Sequence, residues 1–146
     1  MPALLNRVAA SGAPRLRAAF AAAGLDGIRP GQAVALVPLA AGGLHASDLA
    51  DRLSVSRQAV AQAVAALERH DYVVRGPHPS DARARIIELT PRGRHALRVM
   101  RSTALDTEKR WREVLGENRF SELRETLLAL RSAETGESSP GTYDPG

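Results

Sequence analysis

A short polar segment after Ser56 carries the residue types that can recognise base edges in double-stranded DNA. Gln58 and Gln62 can each form two hydrogen bonds with an adenine, and Arg57 can do the same with a guanine. The Ser56 hydroxyl can cap a helix or contact a phosphate, and the two roles are compatible. These residues are candidate DNA contacts, and the role of each depends on how their helix is tilted in the groove.

Two helices separated by a tight turn must position these side chains. The first is predicted over Ser47–Leu53, the turn at Ser54-Val55, and the second over Ser56–His70. Helical periodicity predicts that the apolar stripe of the second helix is buried and that Gln58 and Gln62 are exposed. This order predicts a helix-turn-helix whose second helix suits the major groove of DNA. The apolar stripe consists of Val60, Val64 and Leu67.

The hydrophobic period changes after the second helix. Tyr72–Arg75 and Arg83–Leu89 read as two short strands, joined by a loop over Gly76–Asp81 that contains two prolines. Such a hairpin projects from the end of the second helix and can place an arginine in the adjacent minor groove. The predicted fold class is therefore mainly α, with one β-hairpin.

Helices are predicted on both sides of this segment. An N-terminal helix spans Leu4–Ala23, with a kink or break near Ala13 because Gly12 and Pro14 interrupt it. A second, short apolar helix runs from Pro30 through Leu39.

The C-terminal part of the chain begins with a helix start signal. Thr90 is expected to cap a long helix that opens at Pro91 and ends before Gly116. A last helix follows from about Glu117 to Ala133, and residues 135–146 are predicted to form a flexible tail.

The composition excludes several classes of chemistry. The absence of cysteine rules out disulfides, cysteine-ligated metals and thiol catalysis. The formal charge of +4 rests almost wholly on arginine, which suits nucleic acid but is explained equally well by a GC-rich genome. No catalytic set, cofactor motif or membrane-spanning run is evident, so we expect a cytoplasmic protein that is not an enzyme. The four histidines, interpreted as solvent-exposed residues rather than metal ligands, are His45, His70, His78 and His95.

Three segments resemble the winged helix-turn-helix of MarR-type regulators. Ser47–Val60 is similar to the family's helix-turn-helix, and Leu67–Arg75 to the stretch that follows it. Asp81-Ala82-Arg83 together with Leu89-Thr90-Pro91-Arg92-Gly93 resembles the wing signature, Asp-x-Arg followed by Leu-Thr-x-x-Gly. The resemblance covers roughly Leu4 to Ala133. The chain departs from it at His45, where Thr or Ser is common, and at Asp71, where Gly is usual.

The resemblance implies roles for residues of the wing. Arg83 is expected to enter the minor groove, and Asp81 to pair with or hydrogen-bond Arg83 and so shape the wing. Arg85 is expected to contact DNA phosphate or solvent, and Ser47 at the start of the first helix of the motif is a further DNA candidate. Phosphate contacts or plain surface positions are expected of Arg52, Arg75 and Arg92.

The resemblance also implies a homodimer. A single domain over 1–134 would contain a DNA-binding lobe over about 30–93 and dimerisation helices over about 3–24 and 91–134. The residues expected in the dimer contact are Leu4, Leu5, Val8, Leu123, Leu127 and Leu130.

Such a dimer would place two recognition helices on a pseudo-palindromic operator, most simply repressing nearby genes until a small aromatic or lipophilic effector releases it. The sequence leaves two alternatives open, a DNA binder without a ligand switch and a winged-helix protein–protein adaptor.

Overall fold

The computed structural model describes residues 1–135 and is mainly helical, with one antiparallel two-stranded sheet, which confirms the predicted fold class. The predicted tail lies outside the described residues from position 136 onward. None of the helices in the described part combines the length and apolar character needed to cross a bilayer. The elements are α1 (Pro2–Ala10), α2 (Gly12–Ala22), α3 (Pro30–Ala33), 3-10 turns at Val34–Leu36 and Pro38–Ala41, α4 (Ala46–Leu53), α5 (Arg57–Arg69), β1 (Val73–His78), β2 (Asp81–Leu89), α6 (Pro91–Leu115) and α7 (Glu117–Thr135).

The chain forms two compact units. The first comprises Met1–Ala104, and the second begins at Leu105. The first unit contains the helix-turn-helix, the hairpin and the beginning of α6, whereas the second contains the rest of α6 and all of α7.

The predicted break in the N-terminal helix is present, but it falls at Ser11 rather than near Ala13. Pro14 has no amide hydrogen, so the carbonyl of Ala10 loses its helical partner and the ring crowds the same carbonyl. The interruption therefore appears one turn before the proline. At the interruption, the hydroxyl of Ser11 donates a hydrogen bond to the carbonyl oxygen of Val8 at 2.7 Å.

The prediction of one continuous helix over Pro30–Leu39 is wrong. Four residues of α-helix are followed by two 3-10 turns, the second of which starts at Pro38. Pro38 cannot donate to the carbonyl of Val34, and its ring clashes with that carbonyl in an α-helix. The tighter 3-10 bonds, from Val37 to Val34 and from Ala40 to Val37, each 3.2 Å long, replace the α-helical pattern.

The hairpin strands are longer than the sequence predicted. Most of the expected loop over 76–81 belongs to the strands, which pair from Val73 opposite Leu89 to His78 opposite Asp81. Pro77 has no backbone N–H to donate. It can lie in β1 because each strand of a two-stranded sheet has an outer edge, where an amide needs no partner in the sheet. The register shifts between Pro77 and His78, and the turn is reduced to Pro79-Ser80.

The core of the first unit is aliphatic, with two aromatic rings. Tyr72 and Phe20 are its largest fully buried side chains. The stripe predicted on the second helix of the motif is confirmed, since Val60, Val64 and Leu67 are all buried. Leu49 of α4 is fully buried as well, so α4 packs against α5 and fixes the face that α5 turns outward.

Candidate nucleic-acid interface

The beginning of α5 is the centre of the candidate site. Ser56 caps the helix as predicted, because its Oγ accepts a hydrogen bond from the backbone N–H of Ala59 at 3.1 Å. With the apolar stripe turned into the core, Arg57, Gln58 and Gln62 are exposed. The structure therefore presents all the residues predicted on this helix on one accessible polar surface.

The turn between α4 and α5 depends on a left-handed residue. Ser54 has φ 53°, which ends α4, and the backbone N–H of Val55 donates to the carbonyl of Ala50 at 3.1 Å.

Ser47 lies in the first turn of α4 and is half-buried, so less of its surface is available than at the start of α5. Its DNA contact stays a prediction.

The wing presents two arginines. Arg83 and Arg85 are two residues apart on β2, so both side chains leave the same face of the strand, and both are exposed. Asp81 Oδ1 accepts a hydrogen bond from the backbone N–H of Arg83 at 3.0 Å. This bond fixes the backbone that carries Arg83, which is the geometry a wing-shaping residue requires.

Two of the arginines expected at phosphate or surface positions form ion pairs within the chain. Arg75 Nε lies 3.3 Å from a carboxylate oxygen of Glu68. Arg92 forms an ion pair with Asp26, and its guanidinium lies over the Tyr72 ring, 4.8 Å from the centroid. Arg92 is therefore a structural residue, which the sequence did not reveal because its partners are far away along the chain.

Asp26 has a further contact to this cluster, since its carbonyl accepts a hydrogen bond from the Tyr72 hydroxyl at 2.6 Å. The hydrogen bond from its own backbone amide, followed by Arg92, lowers the pKa of the Asp26 carboxyl below its usual range. A carboxyl whose pKa is lower in the folded chain stabilises the fold above its unfolded pKa. That contribution disappears as the pH falls through the folded pKa.

We expect Asp26→Asn to lower the free energy of unfolding at pH 7, because Arg92 loses its ionised partner. The difference from the parent should shrink below about pH 4 and vanish at lower pH. Urea denaturation at pH 7 and pH 3 measures it, with the exposed Asp51→Asn as control. An equal deficit at both pH values would contradict the account.

Two of the histidines, His45 and His78, are in contact with each other, which the sequence did not indicate. The rings of His45 and His78 are stacked, with centroids 5.7 Å apart and planes 7° from parallel. Both are half-buried, as is His95, so the prediction that these three are solvent-exposed was wrong. The one signal in the sequence was His45 at a helix start where Ser or Thr is common, and it gave no indication of the partner.

The apolar residues predicted for the dimer contact lie on two helices. Leu4, Leu5 and Val8 are exposed on α1, which has no buried residue. On α7, Leu127 and Leu130 are exposed and Leu123 is half-buried.

Trp111, which the sequence indicated as a core or dimer residue or as part of a pocket, lines a cavity of about 280 Å³ in the second unit. Phe120, Leu123 and Leu127 are among the other residues lining it.

Comparisons with known proteins agree with this architecture. Residues 24–84 match the sequence model of the MarR family. The transcriptional activatory protein BadR of Rhodopseudomonas palustris is 32% identical over 93 residues, which are 64% of this chain and 52% of BadR. The chain thus spans about half the length of that relative.

Solved structures extend the similarity beyond the matched segment. A MarR transcriptional regulator from Methanosarcina mazei superposes with a TM-score of 0.77 at 18% identity, covering 94% of this chain and 97% of that one. Wild-type MarR from E. coli gives a TM-score of 0.67 at 20% identity, covering 89% and 96%. At these identities the likeness concerns the fold. Residues 24–84 are therefore similar in sequence to the MarR family, and the fold of the described residues is similar to that of MarR regulators of known structure.

Proposed function

We propose that the chain is a homodimeric, sequence-specific regulator of transcription that binds double-stranded DNA in the cytoplasm. The observation that carries this proposal is the exposed polar surface at the start of α5, with the arginine-bearing wing in the same compact unit. BadR, the relative with the matching segment, is named as a transcriptional activatory protein.

Each part of the surface has a separate task on DNA. The first turns of α5 enter the major groove, where Gln58 and Gln62 read adenine and Arg57 reads guanine or contacts phosphate. The wing reaches the flanking minor groove, where the negative potential favours Arg83. Ser47, Ser56 and Arg85 contact the phosphates and set the register of the protein on the duplex.

Dimerisation gives the site its symmetry. Exposed leucines on α1 and α7 supply apolar surface for a second copy of the chain. A two-fold dimer of the single domain over 1–134 places two α5 helices about one DNA turn, roughly 10 base pairs, apart. Its operator is then pseudo-palindromic.

The regulatory outcome follows from where the operator lies. An operator that overlaps a promoter blocks polymerase, so we propose repression, released by a small aromatic or lipophilic effector that separates the two recognition helices. The name of BadR favours activation as the second candidate, which requires an operator upstream of the promoter. A transcription assay on the adjacent promoter, with and without the protein, distinguishes the two.

The DNA-binding proposal is tested by the salt dependence of binding to duplexes selected from a random library. A regulator that uses several phosphate contacts loses affinity steeply, by about a thousandfold or more between 50 and 200 mM salt. A protein–protein adaptor selects no duplex and shows no salt-dependent binding. A DNA binder without a ligand switch also selects a duplex, but no candidate effector lowers its affinity for that duplex.

A further inference from the structure

The segment of the wing that carries Arg83 is held at both of its ends by a histidine. His45, the residue preceding α4, places Nδ1 3.0 Å from the backbone carbonyl oxygen of Arg85. His78, near the end of β1, places Nδ1 3.1 Å from the backbone amide nitrogen of Ser80. The two rings stack on each other, which joins the start of the helix-turn-helix to the tip of the hairpin.

The partners fix the proton on each ring. A carbonyl can only accept, so His45 Nδ1 must carry a hydrogen and donate it to Arg85. A backbone amide can only donate, so His78 Nδ1 must be unprotonated and accept from Ser80. The Ser80 hydroxyl, 2.9 Å from the same nitrogen, can also donate to it.

We propose that the stacked pair, His45 and His78, is a clasp that positions the wing for DNA recognition and opens when His78 is protonated. The proposal rests on the proposed function, since its consequence is a change in DNA binding. His45 and His78 are positioning residues, because they act through the backbone that bears Arg83 rather than on the DNA.

Protonation affects the two rings differently. A proton on His78 Nδ1 removes the acceptor of the Ser80 amide, whereas protonated His45 keeps its donor to Arg85. The imidazolium also faces the second ring at close range. The charged residues closest in sequence to the contacts of the pair are Asp81, Arg83 and Arg85 on β2 and Asp48 in the first turn of α4. Acidification supplies this proton, so the clasp opens as the pH falls.

The expected effect is a loss of specificity on acidification. Losing one wing-shaping hydrogen bond corresponds to a fall of about fivefold to tenfold in the ratio of specific to non-specific affinity between pH 7.5 and 5.5. Any added positive charge strengthens the attraction to phosphates, whatever the DNA sequence. The affinity for a selected duplex is therefore divided by the affinity for a random-sequence duplex at each pH, which cancels this general effect.

His78→Asn is the decisive variant. An asparagine Oδ1 can accept from the amide two residues on and does not titrate, so we expect near-parental specificity at pH 7.5 and little change down to pH 5.5. His78→Ala should lose specificity at both pH values, and His70→Asn, an exposed control, should behave like the parent. A parental pH profile in His78→Asn, or unchanged binding by His78→Ala, overturns the clasp.

A second readout does not need DNA. In the parent, NMR hydrogen exchange of the Ser80 amide, corrected for the intrinsic pH dependence of exchange, should show protection at pH 7.5 that is lost at pH 5.5. His78→Asn should keep it. If the chain binds no DNA at any pH, the proposed function fails, while Ser80 protection that follows the protonation of His78 still supports the clasp. Protection that is absent at pH 7.5, or unchanged with pH, contradicts it.

Discussion

Arg83→Ala is expected to lose most of the specific DNA affinity, by about 5-fold to 150-fold, while leaving the oligomeric state unchanged. Arg83 lies on the exposed wing, where Asp81 holds its backbone amide and no ion pair within residues 1–135 neutralises it. An arginine inserted in a narrow minor groove gains from the concentrated negative potential, and losing one sequence-reading arginine costs about 1–3 kcal/mol. Fluorescence anisotropy with a selected duplex measures the loss, and sedimentation velocity measures the dimer.

Two variants separate a specific role of Arg83 from its charge. Arg83→Lys keeps the charge but not the planar fork, so it should recover non-specific binding more fully than specific binding. Arg119→Ala removes an exposed arginine from α7 and should bind as the parent does. If Arg83→Ala binds the selected duplex as tightly as the parent, the wing assignment is wrong.

Gly93→Ala is expected to lower the free energy of unfolding by at least about 3 kcal/mol. A Cβ at position 93 would lie 2.0 Å from the backbone oxygen of Tyr72 and 3.2 Å from the Leu89 side chain. The oxygen belongs to the backbone and cannot rotate away, so either the start of α6 or the end of the hairpin must move. Thr90 closes the same junction, because its Oγ1 accepts from the Gly93 amide at 3.0 Å.

Gly31→Ala is the matched control for this substitution. Gly31 also lies in the first turn of a helix, but a Cβ there would meet nothing within 4 Å. It should be neutral or stabilising by about 0.4–1 kcal/mol, because alanine restricts the unfolded chain. Urea denaturation of both variants decides the matter, and equal stabilities for the two would show that position 93 is not sterically closed.

Gly93 also shows why a short motif could predict so much. Within the Leu-Thr-x-x-Gly signature at Leu89–Gly93, Thr90 caps the helix by a local hydrogen bond from the Gly93 amide, whereas the carbonyl that Gly93 admits belongs to the distant Tyr72. The Ser56 cap and the buried stripe of α5 are likewise set by residues near in sequence. Local hydrogen bonds and helical periodicity are visible in a sequence, so these predictions are confirmed.

The missed features depend on contacts between distant segments. Arg92 pairs with Asp26, which lies 66 residues away in the sequence. His45 stacks on His78 because β2 lies beside the segment before α4, where Leu44 pairs with Ile87. From the sequence alone such residues are expected at the surface, because nothing near them in the sequence indicates a partner. The break caused by Pro14 was predicted but lies earlier in the chain than expected, because a missing amide acts on the carbonyl four residues before the proline, whereas the effect of Pro38 was not predicted.

We expect two copies of the chain to bring two α5 helices to one DNA duplex. Methylation-protection and hydroxyl-radical footprinting on a duplex selected by the protein test it most directly. We expect two protected patches in the major groove, about 10 base pairs apart and related by an inverted repeat, with flanking minor-groove protection that is lost in Arg83→Ala. A single patch without symmetry, or flanking protection that survives in Arg83→Ala, would contradict it.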